Sequence, residues 1–128
     1  MSQDQESGAA GNTFGRETAP LIARALGAAM LGPSSNEATY KGNRVVIKCA
    51  AQKTNSVGVT YQMLERIHSV LGAFEQSDGS YSVFALPVEA FKESMRDTRS
   101  QGASSGKVAL VTRGTFERQG SLVQRVRV

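Results

Sequence analysis

The sequence predicts an α/β (α+β) fold in which a central mixed sheet of four or five strands is flanked by helices. Segments with apolar residues at helical spacing alternate with short segments rich in β-branched residues, and this alternation is typical of that class. The chain has 128 residues, of which 40% are hydrophobic and 20% are charged, enough to bury a core without disulfides. We therefore expect a single domain over residues 13–128, preceded by a flexible Gly-, Ser- and Gln-rich tail over residues 1–12.

A first helix is predicted over residues 13–31. Its apolar residues recur at helical spacing at Leu21, Ile22, Ala25, Leu26 and Ala29. Pro20 fits best in a first helical turn with Thr18 as the N-cap, so the helix begins near Thr18 or begins at Thr13 and kinks. Gly32 and the proline after it then end the helix.

A β-hairpin follows, with strands over residues 37–40 and 44–50. Between them, Gly42 and Asn43 suit the positive φ angles of a tight turn. The continuous apolar run Val45–Ile47 indicates that the second strand is covered on both faces.

The rest of the chain predicts two more helices and three more strands. Thr60 fits the N-cap of a helix over residues 60–73, whose buried stripe comprises Met63, Leu64, Ile67, Val70 and Leu71. The elements predicted after it are a strand at 81–86, a helix at 87–95, and strands at 108–112 and 122–128. The polar segments 51–59 and 97–107 predict loops.

The charge and cysteine content narrow the functional classes. Fifteen Lys and Arg residues against eleven Asp and Glu give a net charge of +4, and residues 96–128 carry seven basic against two acidic groups. This bias favours a polyanion surface, although a solvated charged face is the alternative. A single cysteine excludes an internal disulfide and a cysteine-based zinc cluster. Neither an apolar run of membrane-spanning length nor a signal pattern is present, so we expect a cytoplasmic protein without a membrane partner.

The hairpin carries the most suggestive pair of chemical groups. Glu37 opens its first strand and Lys48 lies near the end of its second, so both should lie near the same open end. There a carboxylate could hold Mg²⁺ while a lysine orients water or stabilises developing charge in phosphodiester hydrolysis. The alternative is a cross-strand ion pair on a solvated end.

The stretch NEATYKGNRVVIKCA, followed by a predicted helix and GSYSVFALPVEAF, resembles the PD-(D/E)xK nuclease core of restriction enzymes and Holliday-junction resolvases. The resemblance covers residues 14–95 and implies a restriction-endonuclease-like fold acting on nucleic acid. It assigns Glu17 as the acid of the leading helix, Glu37 as the hairpin acid and Lys48 as the family lysine. Gln62 stands where relatives often carry a polar active-site residue.

The sequence departs from the family pattern at the second acid, two residues before the lysine, where Val46 stands. Either the acid has moved, with Glu65 as its replacement, or the site is inactive and the domain only binds. The first case predicts an Mg²⁺-dependent endonuclease with Glu37, Glu17 and Glu65 as metal ligands. The second predicts a non-catalytic nucleic-acid-binding module or a homo-oligomeric assembly module.

The expected contacts to the nucleic-acid backbone are basic residues in the hairpin, in the loop after it and in the last third of the chain. These are Arg44, Lys53, Arg113, Arg125 and Arg127. For a fold this short, a homodimer would present two sites across a duplex.

Overall fold

A mixed six-stranded sheet forms the centre of the computed structural model, which describes residues 2–32, 36–97 and 108–128. The helices are α1 (Ser2–Leu26), α2 (Tyr61–Leu64), α3 (Val88–Ser94) and α4 (Arg113–Gln119). The strands are β1 (Ala29–Met30), β2 (Glu37–Tyr40), β3 (Asn43–Ala50), β4 (Ser56–Thr60), β5 (Ser69–Glu75), β6 (Tyr81–Pro87), β7 (Arg96–Asp97), β8 (Val108–Thr112) and β9 (Ser121–Val126). The predicted fold class is confirmed, but the main sheet has more strands than the four or five expected.

The main sheet has the strand order β1-β2-β3-β5-β6-β9. Strands β3 and β5 run parallel, and every other neighbouring pair in this sheet is antiparallel. A second, antiparallel sheet has the order β4-β8-β7. Strand β3 is covered on both faces, as the apolar run Val45–Ile47 predicts, because α1 packs on one face and the second sheet packs on the other.

Apolar side chains pack on both faces of the main sheet. On one face, the buried residues of α1 pack on alternate residues of β3 and its neighbours, a set that includes Ala19, Ile22, Ala23, Val45, Ile47, Leu71 and Val83. On the other face, the second sheet and the short helices pack on the remaining residues, a set that includes Val46, Val70, Phe74, Val59, Phe91, Val111 and Phe116. Successive strand residues therefore belong to different cores.

The predicted hairpin is present, but its turn lies one residue earlier than expected. Tyr40 pairs with Asn43, and the two residues between them have positive φ angles, 51° at Lys41 and 83° at Gly42. Two consecutive positive φ angles are typical of the two-residue turn that matches strand twist. The turn places Glu37 directly opposite Val46.

The predicted helix over residues 60–73 is wrong beyond its first turn. Thr60 is the N-cap as expected, since its hydroxyl oxygen accepts a hydrogen bond from the amide of Met63 at 3.2 Å. The helix then ends after Leu64, and Ser69–Glu75 form a strand whose five central residues are all buried. A short apolar run fits a buried strand and a helix equally well by spacing, and pairing with strands on both sides decides between them.

Other boundaries differ to varying degrees. Helix α1 extends back to Ser2, so residues 2–12, predicted as a flexible tail, continue the helix, and Pro20 lies inside it. The predicted loop over 51–59 contains most of β4, and α4 was not predicted. The elements predicted at 81–86, 87–95, 108–112 and 122–128 agree with β6, α3, β8 and β9 to within two residues. Most of the loop predicted at 97–107 lies outside the described residues.

Candidate functional site

Glu37 and Lys48 lie on the same face of the main sheet. Glu37 is opposite Val46 on β3, and alternation along the strand puts Lys48 on the face of Val46, one step further along. Glu37 and Lys48 are therefore diagonal neighbours in the ladder, not a directly opposed pair. The position two residues before the lysine holds the buried, apolar Val46.

The Glu37 carboxylate is held by two arginines. The Arg66 guanidinium donates from Nη2 to Oε1 at 3.1 Å and from Nε to Oε2 at 3.3 Å, and the Nε of Arg44 lies 3.5 Å from Oε2. The Glu37 side chain is only 11% exposed, whereas those of Arg66 and Arg44 are 46% and 52% exposed. The hydrogen bonds to Glu37, together with its negative charge, raise the pKa of Arg66. We call Arg44, Arg66 and Glu37 the arginine fork.

Backbone contacts fix the geometry of the fork. The amide of Arg66 donates to the carbonyl of Met63 at 3.0 Å, in the turn that ends α2. The amide of His68 donates to the carbonyl of Arg44 at 2.7 Å, where the chain enters β5 beside β3. The hairpin and the end of α2 therefore meet at this corner of the sheet, which brings together residues 29 positions apart in the sequence.

Lys48 lies further into the sheet, beside Gly72 of β5. Burial lowers the pKa of the Lys48 ammonium, and the charge of Cys49 opposes this effect. Cys49 points to the opposite face, where it borders the core beneath α1, and burial raises its pKa from 9.0 to about 12. With respect to the described residues, the Lys48 ammonium makes no hydrogen bond or ion pair.

The structure does not gather the other predicted metal ligands around Glu37. Glu17 is exposed on α1, the helix that packs on the opposite face of the sheet, and Glu65 is exposed at the end of α2. Gln62 is exposed on α2 as well. Within residues 14–32, 36–95 and 108–128, whose side chains are described, no three His, Cys, Asp or Glu side chains are grouped to hold a metal ion. The Mg²⁺ site remains a prediction.

The structure gives Arg113 a role inside the protein. Its Nη2 donates to the carbonyls of Ala51, Gln52 and Thr54 at 3.0–3.3 Å, and its Nη1 donates to that of Glu75 at 3.4 Å. The guanidinium also stacks over the Phe74 ring at 5.0 Å. These contacts fix the segment after β3 to the start of α4, so Arg113 acts as a structural residue and not as the free phosphate contact that the sequence suggested.

The remaining basic residues are divided between distant parts of the sheet. Successive strand partners connect Arg125 on β9 to Ala50 at the end of β3, through the pairs Arg125–Ser82, Ser82–Phe74 and Phe74–Ala50. Arg125 and Ala50 therefore lie at the same position along the strand direction. Along this direction Arg125 lies about 20 Å from Arg44. Lys53 follows the end of β3, and Arg127 is paired with Asp78 at 3.1 Å. They do not form one track with Arg44.

Sequence reasoning missed Arg66, the closest partner of Glu37. Its position on the polar side of the predicted helix gave no signal of a contact with the hairpin. No helix of the described part of the chain is long and apolar enough to cross a membrane. No family model matches the chain, and no curated protein matches it at a significant level.

Proposed function

We propose that this protein is a non-catalytic nucleic-acid-binding module, a degenerate relative of the PD-(D/E)xK nucleases. The observation that carries the proposal is the state of Glu37, whose two carboxylate oxygens are engaged by guanidinium groups while Val46 lies opposite.

Electrostatics at this corner favours anions over a divalent cation. Mg²⁺ is usually bound through carboxylates with the help of substrate phosphates, and its sites gain from negative charge. Here one carboxylate faces two guanidinium groups, so the arginine fork itself carries a net positive charge. Val46 has no side-chain oxygen at the position where the family places its second acid.

The same charges suit a polyanion. Arg44 and Arg66 are about half exposed, and Lys41 lies at the exposed tip of the hairpin, with its ammonium over the Tyr40 ring at 5.3 Å. Lysine and arginine side chains that reach solvent on one corner are the groups that neutralise backbone phosphates. The net charge of +4 adds a favourable long-range attraction.

An Mg²⁺-dependent nuclease is the second candidate, favoured by one observation. Lys48 lies on the face of Glu37, and its ammonium has no hydrogen bond or ion pair among the described residues. A desolvated lysine with a lowered pKa is found at many catalytic sites.

One set of measurements separates the two candidates. Labelled duplex DNA, branched DNA and RNA are titrated with the protein over a salt series, with Mg²⁺ and with EDTA, and the samples are then run on denaturing gels. The binding module predicts an affinity that falls steeply with salt, is unaffected by EDTA and leaves the strands intact. Mg²⁺-dependent cleavage that Lys48→Ala abolishes would establish the nuclease, and the absence of binding at low salt would refute both.

A further inference from the structure

We infer that the arginine fork is a binding site for a single phosphate group of a nucleic-acid backbone, with Glu37 acting as a positioning residue. This inference deepens the proposed function and rests on it. It reverses the role that the family resemblance assigns to Glu37, which here would orient phosphate-binding groups and not a metal ion.

Several N–H donors of the fork make no hydrogen bond to the described residues. Arg66 uses Nε and Nη2 on the carboxylate, and Nη2 also lies 3.7 Å from the sulfur of Met63, so Nη1 has no acceptor among the described residues. The closest approach of Arg44 to Glu37 is through Nε, and its Nη groups make no hydrogen bond to the described residues. Guanidinium groups bind phosphate oxygens through paired N–H donors, which makes these Nη groups suitable partners.

Glu37 reduces the cost of ordering the two arginines. A free arginine side chain loses considerable rotamer entropy when it is fixed on a ligand. Here a nearly buried carboxylate fixes the Arg66 guanidinium through two hydrogen bonds and attracts that of Arg44. The hairpin register and the bond from His68 to the Arg44 carbonyl fix the backbones from which they extend. A phosphate would therefore meet a prearranged site.

Two variants test the fork and one serves as a matched control. Glu37→Gln with Arg66→Gln removes the fork and leaves the net charge of the chain unchanged. Arg44→Gln removes one positive charge at the fork. Arg24→Gln removes one positive charge on α1, which packs on the opposite face of the main sheet and on which Arg24 is exposed. Thermal unfolding followed by circular dichroism verifies that each variant folds. If the double variant does not fold, Arg66→Lys replaces it, since lysine keeps the positive charge but lacks the paired donors of arginine.

The readouts are the affinity for a DNA duplex and its salt dependence. Arg44→Gln should weaken binding about tenfold and reduce the slope of log affinity against log salt by about 1, because it removes one positive charge at the fork. The charge-neutral double variant should also weaken binding about tenfold but leave the slope nearly unchanged, whereas Arg24→Gln should change affinity by less than about twofold. If Arg24→Gln weakens binding as much as the fork variants do, the attraction is diffuse. That result overturns the inference and leaves the proposed function intact.

A second arm separates the phosphate site from nucleic-acid binding. Inorganic phosphate is titrated while the NMR signals of the arginine Nε–H groups are recorded. The inference predicts that the Arg44 and Arg66 signals shift and that this response is lost in the fork variants. A phosphate response without duplex binding supports the phosphate site and refutes the proposed function, whereas duplex binding that is insensitive to the fork variants, with no phosphate response, refutes the site alone.

Discussion

Gly72 lies at the centre of the main sheet, and replacing it with alanine tests how rigidly the core between the main sheet and the second sheet is packed. On β5 it is flanked by Lys48 of β3 and Phe84 of β6. A methyl group built there would lie 2.8 Å from Cε2 of Phe74 and 2.9 Å from Cε1 of Phe116. Carbon atoms pack best at about 3.5–4.0 Å, so at least one ring would have to move by roughly 1 Å.

Neither ring has room for that movement. Phe74 and Phe116 are fully buried, with their centroids 5.2 Å apart, and the fully buried Phe91 also packs against Phe116, with a centroid distance of 6.4 Å. Arg113 lies over the Phe74 ring at 5.0 Å. Overpacking of this kind costs about 1–3 kcal/mol, so we expect Gly72→Ala to lower the free energy of unfolding by that amount.

Urea unfolding followed by circular dichroism measures this loss. With a slope of about 2 kcal/mol per molar urea, the midpoint should fall by roughly 0.5–1.5 M. Gly114→Ala is the matched control, because its methyl group would meet only the end of the Arg118 side chain, which is exposed and able to move, and alanine favours helix α4. A midpoint of Gly72→Ala at or above that of the wild type, with an unchanged slope, would refute the argument that the rings are fixed.

Three further predictions concern stability and pH. Burial lowers the pKa of Lys48, so the folded chain releases this proton at a lower pH than the unfolded chain, and the free energy of unfolding should rise with pH toward 10.5. Lys48→Met should be more stable than the wild type at neutral pH and should lack that rise, and equal stability of the two proteins would contradict the prediction. Because burial raises the pKa of Cys49 from 9.0 to about 12, stability should fall across that pH interval, and a fall of the same size in Cys49→Ala would assign it to another group. Arg113→Lys keeps the charge but loses the paired donors to the carbonyls of residues 51–54, so urea unfolding should show a loss of about 2 kcal/mol, and unchanged stability would exclude a structural role for the guanidinium.

The hairpin could be predicted because its signals are local. Gly42, the polar residues beside it and the β-branched run Val45–Ile47 specify a turn and a buried strand within a few residues. The exact turn position was less clear, since Lys41 adopts a positive φ angle that its residue type rarely takes. That one-residue difference decides which residue lies opposite Glu37.

The region after Thr60 could not be predicted beyond its cap. Met63, Leu64, Ile67, Val70 and Leu71 have helical spacing, yet the last two alternate between the two cores as neighbours in a strand. Which description holds depends on β3 and β6 pairing with β5, and the pairs with β3 join residues 24 positions apart in the sequence. Local spacing does not report such pairing.

The same limit applies to the candidate site. The nearness of Glu37 to Lys48 follows from the hairpin alone, whereas the contact of Glu37 with Arg66 depends on how the end of α2 meets the hairpin. Arg113 likewise counted as a surface cation until its backbone acceptors were known. Charge counts along the chain therefore located neither the residues that hold Glu37 nor the cation used for internal bonds.

The presence of separate cores on the two faces of the main sheet has a consequence for how the protein opens in its native state. Strands β3, β5 and β6 contribute side chains to both cores, whereas α1 contributes to one and β8 to the other. Detachment of α1 would uncover one face only and leave the inner strands paired beneath the second layer. Amide protons of these three strands should therefore exchange with deuterium only in the rarest openings, and those of α1 should exchange in a separate, more frequent event.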